Sequence, residues 1–362
     1  MKLDSLIKAM IKHGASDLHI QAGSAPIMRI DGCLKSVEAP PLEAEVAQAL
    51  IFSILNEPIR QRLEAGESVD FSYAPGTEAR FRVNVYRQRG TFGMVMRRLE
   101  MRVPTFHELN LPPVLSEVAD TERGLVLVTG TTGSGKSTTL AAMIDYINSH
   151  DSVKIVTMED PIEYWHVSRK SLVAQMELGV DIRSFSEALP KVLRQDPDVI
   201  LVGELRDVET MKAALTAADT GHLVLSTIHT ANASQTVERL ISMFPPNEHQ
   251  LLLQQLAMNL EAVISMRLAA RREGGGRVPA VEILRAIPIF RKILLEGKLD
   301  LIQQTIATRE RGMQLFDQAL AELYHSGTIA GREALRLATN AEAVALAMRG
   351  ITTRDSAGGL VR

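Results

Sequence analysis

The stretch Gly124-Leu-Val-Leu-Val-Thr-Gly-Thr-Thr-Gly-Ser-Gly-Lys-Ser-Thr-Thr139 constrains this chain more than any other. Leu125 to Thr129 is a short, apolar, β-branched run, as expected of a strand buried on both faces of a parallel sheet. Gly130 to Ser137 then reads G-x-x-x-x-G-K-S. Leu140 to Ile147 follows with good helix propensity. Strand, glycine loop and helix come in the order a phosphate-binding loop needs. Gly130, Gly133 and Gly135 allow positive φ and close backbone approach. The backbone of Gly130, Thr131, Thr132, Gly133, Ser134, Gly135 and Thr138 would then cradle phosphate at a helix N-terminus, where the dipole favours negative charge. Lys136 would reach the β- and γ-phosphates and Ser137 would offer its hydroxyl to Mg²⁺. The expected ligand is a nucleoside triphosphate, ATP, with its Mg²⁺.

A chain of 362 residues has room for about two domains. A net charge of −3 leaves no global basic field for nucleic acid or anionic lipid, and no direct nucleic-acid partner is expected. Cys33 is the single cysteine, which excludes an internal disulfide and any multi-cysteine zinc site. No signal-peptide pattern is visible, and no run approaches the ~20 apolar residues of a membrane span. The expectation is a soluble cytoplasmic protein whose membrane association comes through a partner.

Residues 1–100 read as a small α+β domain. Leu3 to Lys12 has helical apolar spacing. Asp17 to Ile20 and Ala25 to Ile30 read as strands, with a turn at Asp31-Gly32. Leu42 to Leu63 reads as helix broken near Pro58. Ser68 to Tyr73, Arg80 to Arg87 and Thr91 to Arg98 read as antiparallel strands. That sheet is rich in arginine, a residue suited to bidentate phosphate recognition, although a solvated polar face is the plainer alternative. Residues 101–113, with Pro104, Pro112 and Pro113, read as a linker. In 114–272, buried strands Val153 to Met158, Pro197 to Val202 and Leu223 to Thr227 alternate with helical stretches. That pattern predicts a mostly parallel sheet covered by helices, an α/β fold. Glu248 to Arg267 reads as one helix. Residues 273–350 read as a strand at Val278 to Leu284 and a helical end, and 351–362 as a frayed tail.

Hydrolysis needs a carboxylate for the attacking water, a held Mg²⁺ and positive charge at the transition state. Glu204, just beyond the apolar strand Val199 to Val202, is the candidate for the first. Gly203 stands where many P-loop proteins place an Mg²⁺-organising Asp. Glu159 and Glu163 at the neighbouring strand end are therefore the candidates to complete the metal shell. His222 and His229 flank one strand, and without cysteines a phosphate sensor or hydrogen-bond switch fits them better than zinc.

The run Leu193-Arg-Gln-Asp-Pro-Asp-Val-Ile-Leu-Val-Gly-Glu-Leu-Arg-Asp207 is more specific than the loop. It resembles the signature of the type II secretion and type IV pilus ATPases. Glu159-Asp-Pro-Ile-Glu-Tyr164 resembles that family's Asp box, and Thr220-Gly-His-Leu-Val-Leu-Ser-Thr-Ile-His-Thr230 its His box. Asp17 to Ile20, Arg80 to Tyr86 and Gly312 to Leu320 extend the likeness over nearly the whole chain. Within the family the chain is most similar to the PilT/PilU branch, the twitching-motility or pilus-retraction ATPases.

The resemblance implies a PAS-like N-terminal domain, a RecA-like P-loop ATPase domain and a homo-hexameric ring that couples ATP hydrolysis to subunit movement. It implies that Lys136 binds phosphate and Glu204 is the catalytic base. Glu163 would assist at the metal, His222 and His229 would sense the γ-phosphate, and Arg82 and Arg97 would close on ATP. It implies an inner-membrane pilus platform protein and a paralogous retraction ATPase as partners, and a place at the inner face of the cytoplasmic membrane. The branch's C-terminal segment, Ala-Ile-Arg-Asn-Leu-Ile-Arg-Glu, is matched only loosely by Ile287 to Glu296. Main and accessory retraction roles therefore both stay open. An extension or secretion ATPase, a nucleotide-binding regulator and a DNA translocase are the remaining readings.

Overall fold

The computed structural model describes residues 2–30, 32–76, 79–99 and 102–351. Residues 352–362 of the expected tail and the Asp31 half of the expected turn lie outside the described residues. The chain forms two compact units. One comprises Met1–Val103, Asp160–Trp165 and Glu177–Asp181, the other Pro104–Glu159, His166–Met176 and Ile182–Arg362.

The first unit contains α1 (Leu3–Lys12), β1 (Asp17–Gln21), β2 (Ile27–Ile30), β3 (Cys33–Ser36), α2 (Ala44–Phe52), α3 (Glu57–Glu64), β4 (Val69–Tyr73), β5 (Arg80–Gln88) and β6 (Thr91–Leu99). The strands form one antiparallel sheet in the order β3-β2-β1-β6-β5-β4. Helix α1 buries Leu3, Leu6, Ile7 and Met10, the stripe its spacing predicts. Strand β5 alternates in the same way, burying Phe81, Val83 and Val85 and leaving Arg82 exposed. A buried carboxylate fastens two later segments to this sheet. Glu177 accepts hydrogen bonds from the Ser72 N–H (2.9 Å), the Ser72 hydroxyl (2.5 Å) and the Ile162 N–H (3.1 Å).

The second unit runs through α4 (Val114–Ala119), β7 (Gly124–Thr129), α5 (Lys136–His150), β8 (Lys154–Glu159), β9 (Leu172–Glu177), α6 (Phe185–Val192), β10 (Val199–Val202), α7 (Val208–Asp219), β11 (Leu223–Ile228) and α8 (Ala233–Met243). It continues with α9 (His249–Asn259), β12 (Leu260–Ala270), β13 (Arg277–Arg285), α10 (Pro288–Glu296), α11 (Ile302–Ala307), α12 (Phe316–His325), α13 (Gly331–Leu337) and α14 (Ala341–Met348). The sheet order is β13-β12-β7-β11-β10-β8-β9. Strands β12, β7, β11, β10 and β8 pair in parallel, and β13 runs antiparallel to β12. Every residue of β7, β10 and β11 is buried, which is why these segments read as continuous apolar runs. The fold class is the expected one: an α/β P-loop domain and a smaller α+β domain.

Two expectations differ from the structure, and two strands were not expected. Glu248 to Arg267 is not one helix: α9 stops at Asn259 and the chain continues as β12. Leu260 and Ala262 to Met266 are buried beside β7 and β13, and an apolar run of that density satisfies a two-faced buried strand as well as a helix. The stretch read as a linker contributes to the second core, where Leu111 is buried and Phe106 and Leu109 pack. Strands β3 and β9 had no counterpart in the sequence reading. Every residue of β3 is exposed, and β9 carries only one buried residue, so neither shows a clear alternation.

Candidate functional site

The loop between β7 and α5 has the strained backbone that its glycines permit. Gly130, Gly133 and Gly135 have φ of 144°, 76° and 100°. A Cβ on Gly130 would collide with the Ser134 hydroxyl and stand 2.7 Å from the Met266 carbonyl oxygen. Helix α5 begins at Lys136, so its first N–H groups face the loop without helical partners. The Ser134 hydroxyl is buried and without a protein partner, as a donor aimed at a bound anion would be. Ser137, the expected Mg²⁺ ligand, is exposed at the second position of α5.

Lys136 is 8% exposed, and its ammonium donates to the carbonyls of Gly130 (2.8 Å) and Thr131 (3.0 Å). The same nitrogen stands 3.5 Å from His229 Nδ1. On the far side of the ring, Nε2 lies 3.6 Å from Glu204 Oε1. An ammonium can only donate, so Nδ1 is the accepting nitrogen and Nε2 carries the proton toward the carboxylate. His229 thus bridges Lys136 and the candidate base. The other Glu204 oxygen receives Arg206 Nε at 2.8 Å.

Glu204 is placed by the parallel ladder. The Ser226 hydroxyl donates to the Val202 carbonyl (2.6 Å), the Thr227 hydroxyl to the Gly203 carbonyl (2.7 Å), and the Leu205 N–H to the Thr227 carbonyl (3.1 Å). The structure also gives a reason for Gly203. A Cβ there would stand 3.2 Å from the Met158 carbonyl oxygen and 3.4 Å from Glu159 Cα, so an Asp would crowd the end of β8. A cleft of about 740 Å³ opens beside the loop. Its walls include Thr131, Thr132, His229, Thr230, Gln235 and Arg239. The volume suits a small-molecule ligand.

Other expected residues lie elsewhere. His222 and His229 do not meet. They flank β11 at opposite ends, seven residue steps and about 23 Å apart along an extended strand. His222 Nδ1 contacts the Ala217 carbonyl (2.9 Å) at the end of α7, and the His222 carbonyl accepts from Gly124, where β7 enters the sheet. Glu159 Oε1 accepts from the Thr157 hydroxyl (2.7 Å) and the Gln175 amide (3.1 Å). Among the described residues no cluster of three or more His, Cys, Asp or Glu forms a metal site. Glu163 follows β8 in a segment grouped with the first unit.

Arg82 and Arg97 are cross-strand neighbours on β5 and β6 of the first unit. Arg82 Nε lies 3.6 Å from Asp70, and Arg97 Nε donates to Asp17 at 2.8 Å. Burial raises the Asp17 pKa, but the hydrogen bonds from Arg97 and Ser16 outweigh it and hold the carboxyl below its usual range. The sequence reading missed Arg206 and the α8 residues Gln235 and Arg239. Arg206 stood two positions beyond Glu204 and was visible. Nothing local marks Gln235 or Arg239, which reach the cleft only because α8 packs beside the loop.

The family model described as Type II/IV secretion system protein matches residues 1–288. The chain is 45% identical over 335 residues to the type IV pilus retractation ATPase PilT of Pseudomonas aeruginosa, covering 92% of this chain and 97% of that one. It is 39% identical over 350 residues to the type IV pilus ATPase PilU of the same organism, covering 96% and 92%. The crystal structure of the pilus retraction motor PilT with bound ADP superposes with a TM-score of 0.88 at 43% identity, covering 94% of this chain and 98% of that one. With a family model spanning most of its length and relatives this similar end to end, the chain belongs to the type II/IV secretion system protein family.

Proposed function

We propose that this chain is an ATPase motor that powers type IV pilus retraction and twitching motility. The observation that carries the reading is the Lys136–His229–Glu204 arrangement at the mouth of the glycine loop. It puts a lysine ammonium and a carboxylate on either side of one imidazole. The likeness to PilT along the whole chain supports the pilus assignment.

The loop N–H groups and Lys136 bind the β- and γ-phosphates of ATP. Glu204 orients and deprotonates the attacking water, and Arg206 keeps one of its oxygens fixed. His229 reads the γ-phosphate through Lys136 and hands the change to Glu204. Ser137 would hold Mg²⁺, with Glu163 or Glu159 completing its shell. The Glu159 oxygen bonded to Thr157 and Gln175 favours contact through water. Bound Mg²⁺ supplies charge neutralisation between the phosphates. Arg82 and Arg97 deliver positive charge to the transferred phosphate in a homo-hexameric ring. His222, at the far end of β11, has no part in this chain's own phosphate site.

Among the described residues no helix is long and apolar enough to cross a membrane. The motor works at the cytoplasmic face of the inner membrane through a pilus platform protein, without direct nucleic-acid contact. A second reading, an accessory motor beside a paralogous retraction ATPase, is favoured by the PilU likeness.

Glu204→Gln is the direct test. Mg²⁺-dependent hydrolysis is expected to fall at least about 100-fold while nucleotide is retained. A parent-like rate would remove Glu204 from the mechanism. Deleting the gene separates the biological readings: excess pili without twitching fits the main motor, and loss of pili fits extension. Normal pili with weakened retraction fit the accessory role.

A further inference from the structure

Glu282 is another buried carboxylate, 2% exposed, on β13. It stands opposite Ser265 of β12, and Ser265 stands opposite Thr129, the residue before the glycine loop. Thr129 donates its hydroxyl to Ser265 at 2.8 Å. Glu282 Oε1 accepts the Ala233 N–H at 2.8 Å, and the Phe316 N–H faces the same carboxylate and favours its charged form. Ala233 and Phe316 are the first residues of α8 and α12. One side chain therefore binds the leading amide of α8 and faces that of α12, and both dipoles favour its charge.

Each helix leads to a different place. Helix α8 begins four residues after His229 and supplies a wall of the nucleotide cleft. Helix α12 belongs to the C-terminal group, whose Phe316, Leu320, Ala334 and Val344 share a core with Ala269 and Ala280 of β12 and β13. Arg267 reinforces that side. Its guanidinium stacks on the Phe316 ring, 3.9 Å from the centroid, and donates to the Leu337 carbonyl and the Thr339 hydroxyl. Neither Asn232, which caps α8 through the Gln235 N–H, nor any group in the loop makes this second connection.

We propose that Glu282 is a positioning residue that holds the His229–Asn232 loop against the phosphate cleft and joins it to helices α12 to α14. Nucleotide state at the loop thereby reaches the C-terminal helices through one carboxylate. The inference rests on the ATPase reading. A glutamine would fill the same space but offer one acceptor oxygen, and its amide N–H groups would face the other helix's N–H.

The test is hydrogen exchange on the full chain with and without ADP and Mg²⁺, followed by steady-state kinetics. In the parent, the segments 229–240 and 313–320 are expected to gain protection together. In Glu282→Gln, 229–240 should still respond and 313–320 should not. The variant's kcat should drop about tenfold or more, the scale set by small misplacements of reacting groups, with ADP affinity unchanged. Adding Ala233→Pro removes the N–H left without an acceptor. Proline suits that first helical position, and Asn232 before it is already extended. Recovery of the melting temperature with kcat still low supports positioning. Recovery of both means that Glu282 only satisfies a donor and overturns the proposal. If Glu282→Gln does not fold, the parent decides alone: a 313–320 segment indifferent to nucleotide overturns it. A parent that neither binds ADP nor hydrolyses ATP removes the ATPase reading itself, a different failure from an active parent whose variant is unaffected.

Discussion

Acid should loosen the second unit through His166, and the size of the effect follows from its surroundings. The ring is 7% exposed, and its Nδ1 has no hydrogen-bond partner. Burial is the main cause, with Arg169 the second, of a pKa lowered from the usual 6.5 to about 4. The unfolded chain therefore binds this proton below pH 6.5, and the folded chain only near pH 4. Between those values the unfolded state holds more protons, so stability falls as pH falls. The linkage relation gives a loss of about 2 kcal/mol at pH 5 relative to pH 8, approaching about 3 kcal/mol below pH 4. Other groups titrate in the same range, so the comparison is with His166→Asn, which keeps a polar side chain but cannot take up the proton. Repacking adds a constant offset to that variant and leaves the slope to report on His166. Urea unfolding of both proteins at half-unit steps from pH 8 to 5 should show their difference shrinking by about 1 kcal/mol per pH unit below pH 6. A flat difference would show that the histidine is solvated or already charged in the folded chain. The segment that opens first should be the one around it. The His166 N–H donates to Gln175 Oε1 at 2.8 Å, and the Gln175 amide in turn holds Glu159.

Further outcomes follow from the same geometry. Gly130→Ala forces a Cβ onto the Ser134 hydroxyl and the Met266 carbonyl at a φ of 144°, so nucleotide affinity should fall at least about tenfold, with about 1–3 kcal/mol of stability lost. Unchanged ADP binding by calorimetry would refute the loop geometry. Arg97→Ala leaves Asp17 buried without its strongest partner, and the first unit should lose about 1–3 kcal/mol at pH 7, a loss that shrinks as Asp17 is protonated in acid. Denaturant unfolding at pH 7 and pH 3 checks both the loss and its sign. Glu177→Ala removes the acceptor for Ser72 and Ile162, so proteolysis within 160–181 should rise several-fold while α5 stays protected; an unaltered cleavage pattern would count against the clasp.

Local sequence carries whatever depends on neighbours along the chain. The Gly130–Ser137 loop needs only its own glycines and the helix that follows, so its chemistry was readable before any fold was known. The buried runs of β7, β10 and β11, the stripe of α1 and the alternation in β5 were readable for the same reason: burial imposes a period on adjacent residues. Glu204 was findable because it directly follows an apolar strand.

Tertiary structure decided what meets across the sheet. His222 and His229 looked equivalent in sequence, yet a parallel strand separates them and delivers only His229 to Lys136 and Glu204. The second half of the stretch Glu248–Arg267 became a strand because β7 and β13 offered it edges on both sides. Glu177 and Glu282 carry no local signature, since their partners lie 105 and 49 residues away. A buried carboxylate is stable only where distant N–H groups converge on it, and that convergence exists only once the chain has folded.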